Sequence, residues 1–248
     1  MAINVNTVYQ TVLMILNKEQ RGYMTPTEFN TVATQVQLEI FEKYFDDLNQ
    51  QLRVPQADTD YADRQENIDE KIAIFKTFGD AQYETVGNVS YFTLPQVDTY
   101  NELVSFYRLG NVLYNDEKVV QRLDRREFYY ANQSRLTKPS VINPAYLYEK
   151  EKLFIKPTTI IDKIKVDYIR KPNNVVWDFR TGGLGQYNFY PLNAVNLNSL
   201  TVDFELHESE QTEVILKILL YSGIIIRDNE VVQTAAALVQ ADETNKKS

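Results

Sequence analysis

Cysteine is missing from the 248-residue chain, and histidine and tryptophan occur once each. The lack of cysteine excludes disulfides, thiolate metal sites and a nucleophilic thiol, and it fits a reducing compartment. A Ser-His-Asp triad would need the single histidine, His207, and no serine lies in a Gly-x-Ser-x-Gly motif. The sequence therefore does not favour hydrolase chemistry of that kind.

Basic residues and long apolar runs are also scarce. Lysine and arginine number 26 against 34 acidic residues, which gives a formal net charge of −8 and a pI near 4.9. A general nucleic-acid-binding protein would show the opposite balance, so any contact with DNA has to be local. The most apolar segment, residues 214–226, falls well short of the ~20 residues that span a bilayer. No signal peptide is expected in the first 17 residues, and the sequence predicts a soluble protein without membrane contact.

Glycine is infrequent, whereas aromatic residues are abundant. The chain has eight glycines but 17 tyrosines and 12 phenylalanines. Tyrosine combines an apolar ring with a polar tip and is enriched at protein interfaces. The composition is therefore a hint of assembly.

The clearest helix signal lies in residues 25–50. Thr25 is predicted as the N-cap, Pro26 as the first helical residue, and Glu28 as its partner in a capping box. Apolar residues then recur at steps of three and four, which predicts one buried face. Further helices are predicted at about 5–19, at about 61–76 with an end at Gly79, from Ser209 to about Arg227, and at about 229–241.

Between these helices the pattern changes to short apolar alternations separated by turn residues, which is typical of strands. An inserted helix is predicted near 124–134, with Asp124 as the cap. The predicted fold class is α+β: a helical bundle formed by N-terminal and C-terminal helices, with an inserted antiparallel β-rich domain. The predicted domains are an N-terminal helical region 1–79, the β-rich domain 80–208, and C-terminal helices 209–248 that pack with the N-terminal region.

Two strand-like runs end at Lys-Pro. Leu153 and Ile155 alternate with less apolar positions, and Ile164 and the apolar residues after it alternate with polar ones. Each predicted strand therefore has one solvent-exposed side. The segment between the runs, 158–162, is long enough for a loose hairpin connection. Lys163 and Lys165 lie on the solvent-exposed side of the second strand and are predicted to face a neighbouring subunit.

A local excess of positive charge lies between residues 118 and 138. Two readings are open: a solvated helix face, or a basic patch that meets an acidic neighbour or passing DNA. The aromatic residues Phe128, Tyr129 and Tyr130 interleave with the charges. The cations of this segment are Lys118, Arg122, Arg125, Arg126, Arg135 and Lys138.

Three glycines occur close together in residues 181–187. The segment lacks the Lys-Ser/Thr and the strand-to-helix context of a phosphate-binding loop, so it is predicted to be a flexible loop. The adjacent aromatic residues Tyr187, Phe189 and Tyr190 form an aromatic tip that either docks on a partner or belongs to an ordinary loop.

Asp203, Glu205 and His207 alternate along a predicted strand and would point from one face. Two carboxylates and an imidazole could hold a divalent metal or serve as general acid and base. The alternative is structural, because acidic residues at the start of a helix complement its dipole and a nearby histidine is an ordinary ion-pair partner. The structural reading is the stronger of the two.

Two segments carry a resemblance to a known family. NTVYQTVLMILNKEQRGYMTPTEFNTVATQVQLEIFEKYFDDLN resembles the N-terminal region of virion structural proteins of tailed phages, in particular crAss-like phages and marine podoviruses. KPSVINPAYLYEKEKLFIKPTTIIDKIKVDYIRKP is similar to a run of prolines, tyrosines and apolar strands in phage head-tail connector and tail ring proteins. The resemblance covers the first 50 residues and residues 135–175.

This resemblance implies a non-enzymatic virion protein with no catalytic residues and no cofactor. The expected assembly is a homo-oligomeric, twelve-fold ring around the DNA channel, made in the host cytoplasm and located in the connector or tail of the virion. The expected partners are the portal and other tail or connector proteins, and genomic DNA would pass through the channel without sequence-specific binding.

Two alternatives from other classes stay open. One is a metal-dependent enzyme centred on Asp203, Glu205 and His207. The other is a carbohydrate-binding tail protein that uses its tyrosines and Trp177.

Overall fold

The computed structural model describes residues 2–18, 24–51, 60–87, 89–95, 105–192, 196, 198–225, 237–238 and 240. The predicted helix at 229–241 lies almost entirely outside these residues, as does the predicted end of the preceding helix at Arg227. In the described part, the chain combines α-helices with several antiparallel sheets.

The elements follow one another in this chain order. The N-terminal part contains β1 (Ala2–Ile3), α1 (Val5–Lys18), α2 (Pro26–Gln51) and α3 (Asp60–Ala73). The middle contains β2 (Lys76–Asp80), β3 (Gln82–Val86), β4 (Val89–Thr93), β5 (Phe106–Tyr114), β6 (Lys118–Val119), β7 (Gln121–Arg122), α4 (Arg125–Gln133), β8 (Ala145–Glu149), β9 (Lys152–Lys156) and β10 (Ile164–Arg170). The last part contains β11 (Phe179–Thr181), β12 (Tyr187–Phe189), β13 (Phe204–His207), a 3-10 turn (Glu208–Glu210) and α5 (Gln211–Ile225).

The chain forms two compact units. Unit 1 consists of Met1–Ile74 and Pro172–Ser248, and unit 2 consists of Phe75–Lys171. Residues 172–208, which were expected in the β-rich domain, thus belong to the same unit as the N-terminal helices. The predicted domain limits 1–79, 80–208 and 209–248 stay predictions, because compact packing and independent folding are separate properties.

Unit 1 is built around the apolar face of α2. The capping box at its start forms as predicted: the Thr25 N–H donates to the Glu28 carboxylate at 2.9 Å, and the Glu28 N–H donates to Thr25 Oγ1 at 3.4 Å. The apolar residues that repeat along α2 are buried, and α2 packs against α3 and α5. The buried apolar residues of α2 are Phe29, Val32, Ala33, Val36, Ile40, Phe41, Tyr44 and Phe45.

A polar stripe on α2 fixes an extended segment, residues 173–177. The Asn30 side chain accepts from Trp177 N–H at 2.8 Å and donates to Trp177 O at 3.3 Å. Thr34 Oγ1 accepts from the Val175 N–H at 3.2 Å, and the Gln37 amide donates to Asn173 O at 2.7 Å. Asn30, Thr34 and Gln37 are four and three residues apart, so they share one side of the helix and follow the extended chain along it.

Unit 2 contains a four-stranded sheet, in the order β2-β10-β5-β6, and a five-stranded sheet, in the order β3-β4-β9-β8-β7. Strands of both sheets contribute to one apolar core, so the sheets pack face to face. Phe92, Tyr146 and Leu153 come from the five-stranded sheet, and Val112 and Val166 from the other. The described ladders of these sheets are antiparallel, apart from the short parallel pair β7–β8.

The predicted hairpin between residues 153–156 and 164–168 is wrong. β9 pairs with β4 and β8, whereas β10 pairs with β2 and β5 in the other sheet. The alternation does indicate the buried faces, since Leu153, Ile155, Ile164 and Val166 are all buried. Alternation shows that a strand buries one face but does not identify its neighbour, and two facing sheets bury both strands against one core.

The third helix also ends earlier than predicted. α3 stops at Ala73, and Lys76–Asp80 form strand β2 instead of a helical end at Gly79. Pairing of β2 with β10 accounts for the difference, because the partner strand supplies the backbone hydrogen bonds. Among the described helices, none combines the length and the apolar character that a membrane span requires.

Candidate interaction surfaces

The basic segment 118–138 forms a surface around helix α4. Phe128 is the buried residue of α4, whereas Arg126, Tyr129 and Tyr130 lie on its exposed side. Leu136, in the turn after the helix, is 98% exposed. We use the term basic surface for the exposed residues Arg122, Arg126, Tyr130, Arg135, Leu136 and Lys138.

Most charges of the basic surface point to solvent. Arg125, beside it, pairs with Glu149 at 3.6 Å, while the Arg122 and Arg126 guanidinium groups lie 5.9 Å and 5.7 Å from the rings of Tyr148 and Tyr130. Lys118 is half-buried in β6. Within the described part of the chain, Arg122, Arg126, Arg135 and Lys138 form no ion pair. The local excess of positive charge is therefore available to a partner.

The two lysines predicted to face a subunit have different environments. Lys163 is exposed and has a positive φ of 59°, immediately before β10. Lys165 forms a 2.7 Å ion pair with Asp116, and this contact raises the pKa of the Lys165 ammonium. Lys165 therefore binds the turn that contains Asp116 in its own unit, whereas the Lys163 side chain stays accessible to solvent.

A protruding hairpin was not singled out in the sequence. β3 and β4 pair along their whole length, but β4 pairs with β9 only at Phe92 and Thr93. The distal part of the hairpin thus extends past the rest of the sheet, and every residue of β3 is exposed. Val86 and Val89, at the turn, are 64% and 52% exposed. We use the term hairpin surface for Glu84, Val86 and Val89.

Gly87 allows this turn to form. Its φ is +62°, a conformation that residues with a Cβ seldom adopt, and an added Cβ would meet open space. The sequence signal was present: a Val-Gly-Asn-Val stretch between two β-rich runs predicts a tight turn. The exposure of both valines could not be read from it.

The predicted aromatic tip is part of a hairpin that packs against Trp177 of its own unit. The glycine segment connects β11 to β12, and the Gly182 N–H donates to Gln186 O at 2.8 Å. Phe179 and Phe189 oppose each other across this hairpin, and both rings stack on Trp177, at 5.9 Å and 5.5 Å. Phe189 is thus turned toward its own unit, whereas Tyr187 is exposed.

Tyr190 has a different contact from the other two aromatic residues of the tip. The Arg180 guanidinium lies 3.8 Å from the centre of its ring, which is a cation–π geometry. The backbone oxygen of Tyr190 accepts hydrogen bonds from the Ser199 and Thr201 hydroxyls at 2.6 Å and 2.8 Å. Its position is therefore set by contacts within unit 1.

A cleft lies beside Trp177. Its volume is about 260 Å³, and α1 and the β11–β12 hairpin form its walls. Trp177 itself is only 4% exposed, and its indole N–H donates to Asn6 Oδ1 at 3.0 Å. The cleft is lined by amide and aromatic side chains of Asn6, Tyr9, Gln10, Trp177, Tyr187, Asn188 and Phe189, together with Leu13.

Asp203, Glu205 and His207 take separate structural roles. The Asp203 carboxylate accepts from the Val5 N–H at 2.8 Å, at the start of α1. The Glu205 carboxylate binds the backbone and side-chain amides of Asn173, at 3.0 Å and 3.1 Å. His207 Nδ1 accepts from the Ser209 N–H at 3.2 Å and caps the 3-10 turn. No cluster of three possible metal ligands occurs among the described residues.

A buried network of charges joins α2, α3 and α5. Glu210 is 2% exposed and pairs with Lys71. Glu213 accepts from Lys43 at 3.0 Å, and Lys217 lies 3.8 Å from both Glu213 and Glu39. Because residues 39–71 and residues 210–217 lie far apart in the chain, only folding reveals the proximity of their charges.

The same network affects two tyrosines. Burial is the largest cause of the strongly raised pKa of Tyr44, and the negative charges of Glu210 and Glu213 add to it. A hydrogen bond to Glu39 raises the pKa of Tyr221 to about 12. Both phenols are therefore neutral at physiological pH, so the network carries charge only on its lysines and carboxylates.

No protein-family model matches the chain, and a search of curated proteins gives no significant match.

Proposed function

We propose that the chain is a non-enzymatic structural subunit of a tailed-phage virion, in which it forms a ring of the head-tail connector or tail. The resemblance of residues 1–50 and 135–175 to phage structural proteins supports this class of protein. The single structural observation that carries the proposal is a pair of exposed surfaces on one sheet of unit 2. The hairpin surface lies at the β3 edge, and the basic surface lies at the β7 edge.

Exposed apolar side chains set among charges suit contacts between proteins. Val86 and Val89 on one surface and Tyr130 and Leu136 on the other are mainly solvent-exposed in the single chain. Such groups gain free energy when a partner covers them, and the charges around them restrict which partner fits. By contrast, the polar residues considered for catalysis are used in structural hydrogen bonds.

The proposed architecture assigns a role to each unit. Helices from both ends of the chain meet in unit 1 and form a bundle, into which the β-rich domain is inserted as a subunit-contacting module. Twelve copies would surround the DNA channel, with the portal and other tail or connector proteins above and below. The net charge of −8 suits a channel through which DNA slides, because a basic wall would retain the phosphates.

Mass photometry and negative-stain imaging of the purified full chain test this proposal. Closed rings, alone or with purified portal protein added, are the expected result. A chain that stays monomeric under both conditions, and that is missing from a map of the intact virion, would contradict the proposal.

A carbohydrate-binding function is the second candidate, because the cleft beside Trp177 combines aromatic rings with amide groups that suit sugar hydroxyls. A glycan array probed with the full chain tests it. Binding that disappears in Tyr187→Ala and persists in Tyr129→Ala, an exposed tyrosine of unit 2, would support this candidate. An array without signal would count against it.

A further inference from the structure

The hairpin surface is poorly stabilised by its own unit. A two-stranded hairpin in water gains little stability by itself, and the distal β3–β4 residues extend past the neighbouring strand β9. Its turn exposes two valines, and residues 82–93 contain an acidic residue, Glu84, but no lysine or arginine. The surface is thus apolar at its tip and weakly acidic on its flank.

The basic surface has the complementary character. Its exposed Tyr130 and Leu136 lie among three arginines and a lysine, while the chain as a whole carries a net charge of −8. Two copies with the same net charge repel one another at long range, but at close approach the basic surface attracts an acidic group such as Glu84 on the hairpin surface. DNA would also be attracted to the charges, but a phosphate backbone leaves Tyr130 and Leu136 uncovered, and an apolar hairpin tip covers them.

We propose that the hairpin surface of one copy docks on the basic surface of the next copy. The proposal rests on the ring-forming function proposed above and names the two faces that meet. Val86 and Val89 pack against Tyr130 and Leu136, and Glu84 approaches the arginines. Because the two faces are different and lie at opposite edges of one sheet, the contact is head-to-tail, and head-to-tail contacts produce rings when the rotation closes.

Cross-linking between two single-cysteine variants tests the contact directly. The natural chain has no cysteine, so Val86→Cys and Leu136→Cys each introduce the only thiol of their copy. Mixed under mild oxidation, they are expected to give a disulfide-linked pair. The matched control mixes Leu136→Cys with Ile161→Cys, an exposed apolar residue outside both surfaces, and should give at least tenfold less product.

Charge reversal provides an independent measurement. Glu84→Arg and Arg126→Glu are each expected to weaken self-association about tenfold at low salt, because each places like charges opposite one another. The double variant restores the attraction and should recover most of the loss. Circular dichroism of each variant shows whether it has folded.

The outcomes separate this inference from the proposed function. Oligomers that form without the Val86–Leu136 cross-link overturn the inference and leave the ring proposal standing. A cross-link in a species that is not a closed ring supports the inference and counts against the ring. A chain that stays monomeric and gives no cross-link overturns the inference. An Arg126→Glu variant that loses binding to duplex DNA but self-associates normally also overturns it.

Discussion

Single residues in this chain show how burial changes the contribution of an ion pair to the stability of the fold. Lys71 pairs with Glu210, which is almost fully buried, whereas Lys165 pairs with Asp116 at the surface. An exposed ion pair contributes little, because water screens it and holding both side chains costs entropy. A buried carboxylate depends on its cation, since removal of the cation takes away a charge that balances it in a poorly solvated site.

Replacement of Lys71 by methionine is therefore expected to lower the free energy of unfolding by about 3 kcal/mol. The matched control, Lys165→Met, should lower it by less than about 1 kcal/mol. Urea unfolding followed by circular dichroism measures both values. Equal losses in the two variants would show that Glu210 is better solvated than its burial indicates.

The capping box of α2 gives a prediction for pH. Hydrogen bonds from the Thr25 hydroxyl and N–H lower the pKa of Glu28 below its usual value near 4.5. The folded state therefore favours the ionised carboxylate. The stabilisation is complete above the unfolded pKa and is lost as the pH falls through the folded pKa.

The stability difference between the natural chain and Glu28→Gln should follow this dependence. It is expected to be largest near neutral pH and to shrink below pH of about 4.5. Unfolding by urea at a series of pH values measures it, with Glu70→Gln on the exposed side of α3 as the control. A difference that stays constant into the acid range would contradict the role of the ionised carboxylate.

At the scale of elements, the polar stripe of α2 shows a limit of pattern reading. Asn30, Thr34 and Gln37 lie beside the buried apolar face, and in the sequence they resemble the polar side of any amphipathic helix. In the structure they bind the backbone of residues 173–177. On this edge the extended segment uses these side chains in place of a neighbouring strand, whereas on its other edge Val176 pairs with Val202.

Asn30→Ala is expected to cost about 1–3 kcal/mol of stability, because it leaves the buried backbone groups of Trp177 without their side-chain partner. Trp177 is the only tryptophan, so its fluorescence reports on this site, and a red shift is expected as water reaches the indole. Gln35→Ala, on the same helix, is the control. An unchanged spectrum together with unchanged stability would contradict the proposed role of the stripe.

At the scale of the whole molecule, the two units differ in chain continuity. Unit 2 is one continuous segment, and its core residues all come from within that segment. Unit 1 is assembled from both ends of the chain, and α2 packs against α5. A continuous segment with its own core satisfies the usual condition for folding alone.

A fragment of residues 75–171 is therefore expected to fold by itself, with dispersed amide signals in an NMR spectrum and a cooperative thermal transition. A fragment of residues 1–74 serves as the comparison and is expected to stay largely unfolded, because the surface that α5 covers would be exposed. If the 75–171 fragment gave the spectrum of a random coil, its core would need the rest of the chain.

The sequence by itself determined much of the local structure. The cap of α2, its buried face, the helix near residue 125 and the buried sides of β9 and β10 followed from capping residues and apolar periodicity, which depend on neighbours in the chain. It also identified the cations of the basic surface. These features could be predicted because each one arises from residues a few positions apart.

The tertiary structure alone decided which strands are neighbours, which polar groups are used internally and which apolar residues stay exposed. β9 and β10 lie in different sheets, Asp203, Glu205 and His207 serve separate contacts, and Val86 and Val89 extend past the sheet. Each of these outcomes depends on groups far apart in the chain. Periodicity indicates whether a face is buried or exposed to solvent, but the element that packs against that face is determined only when the whole chain folds.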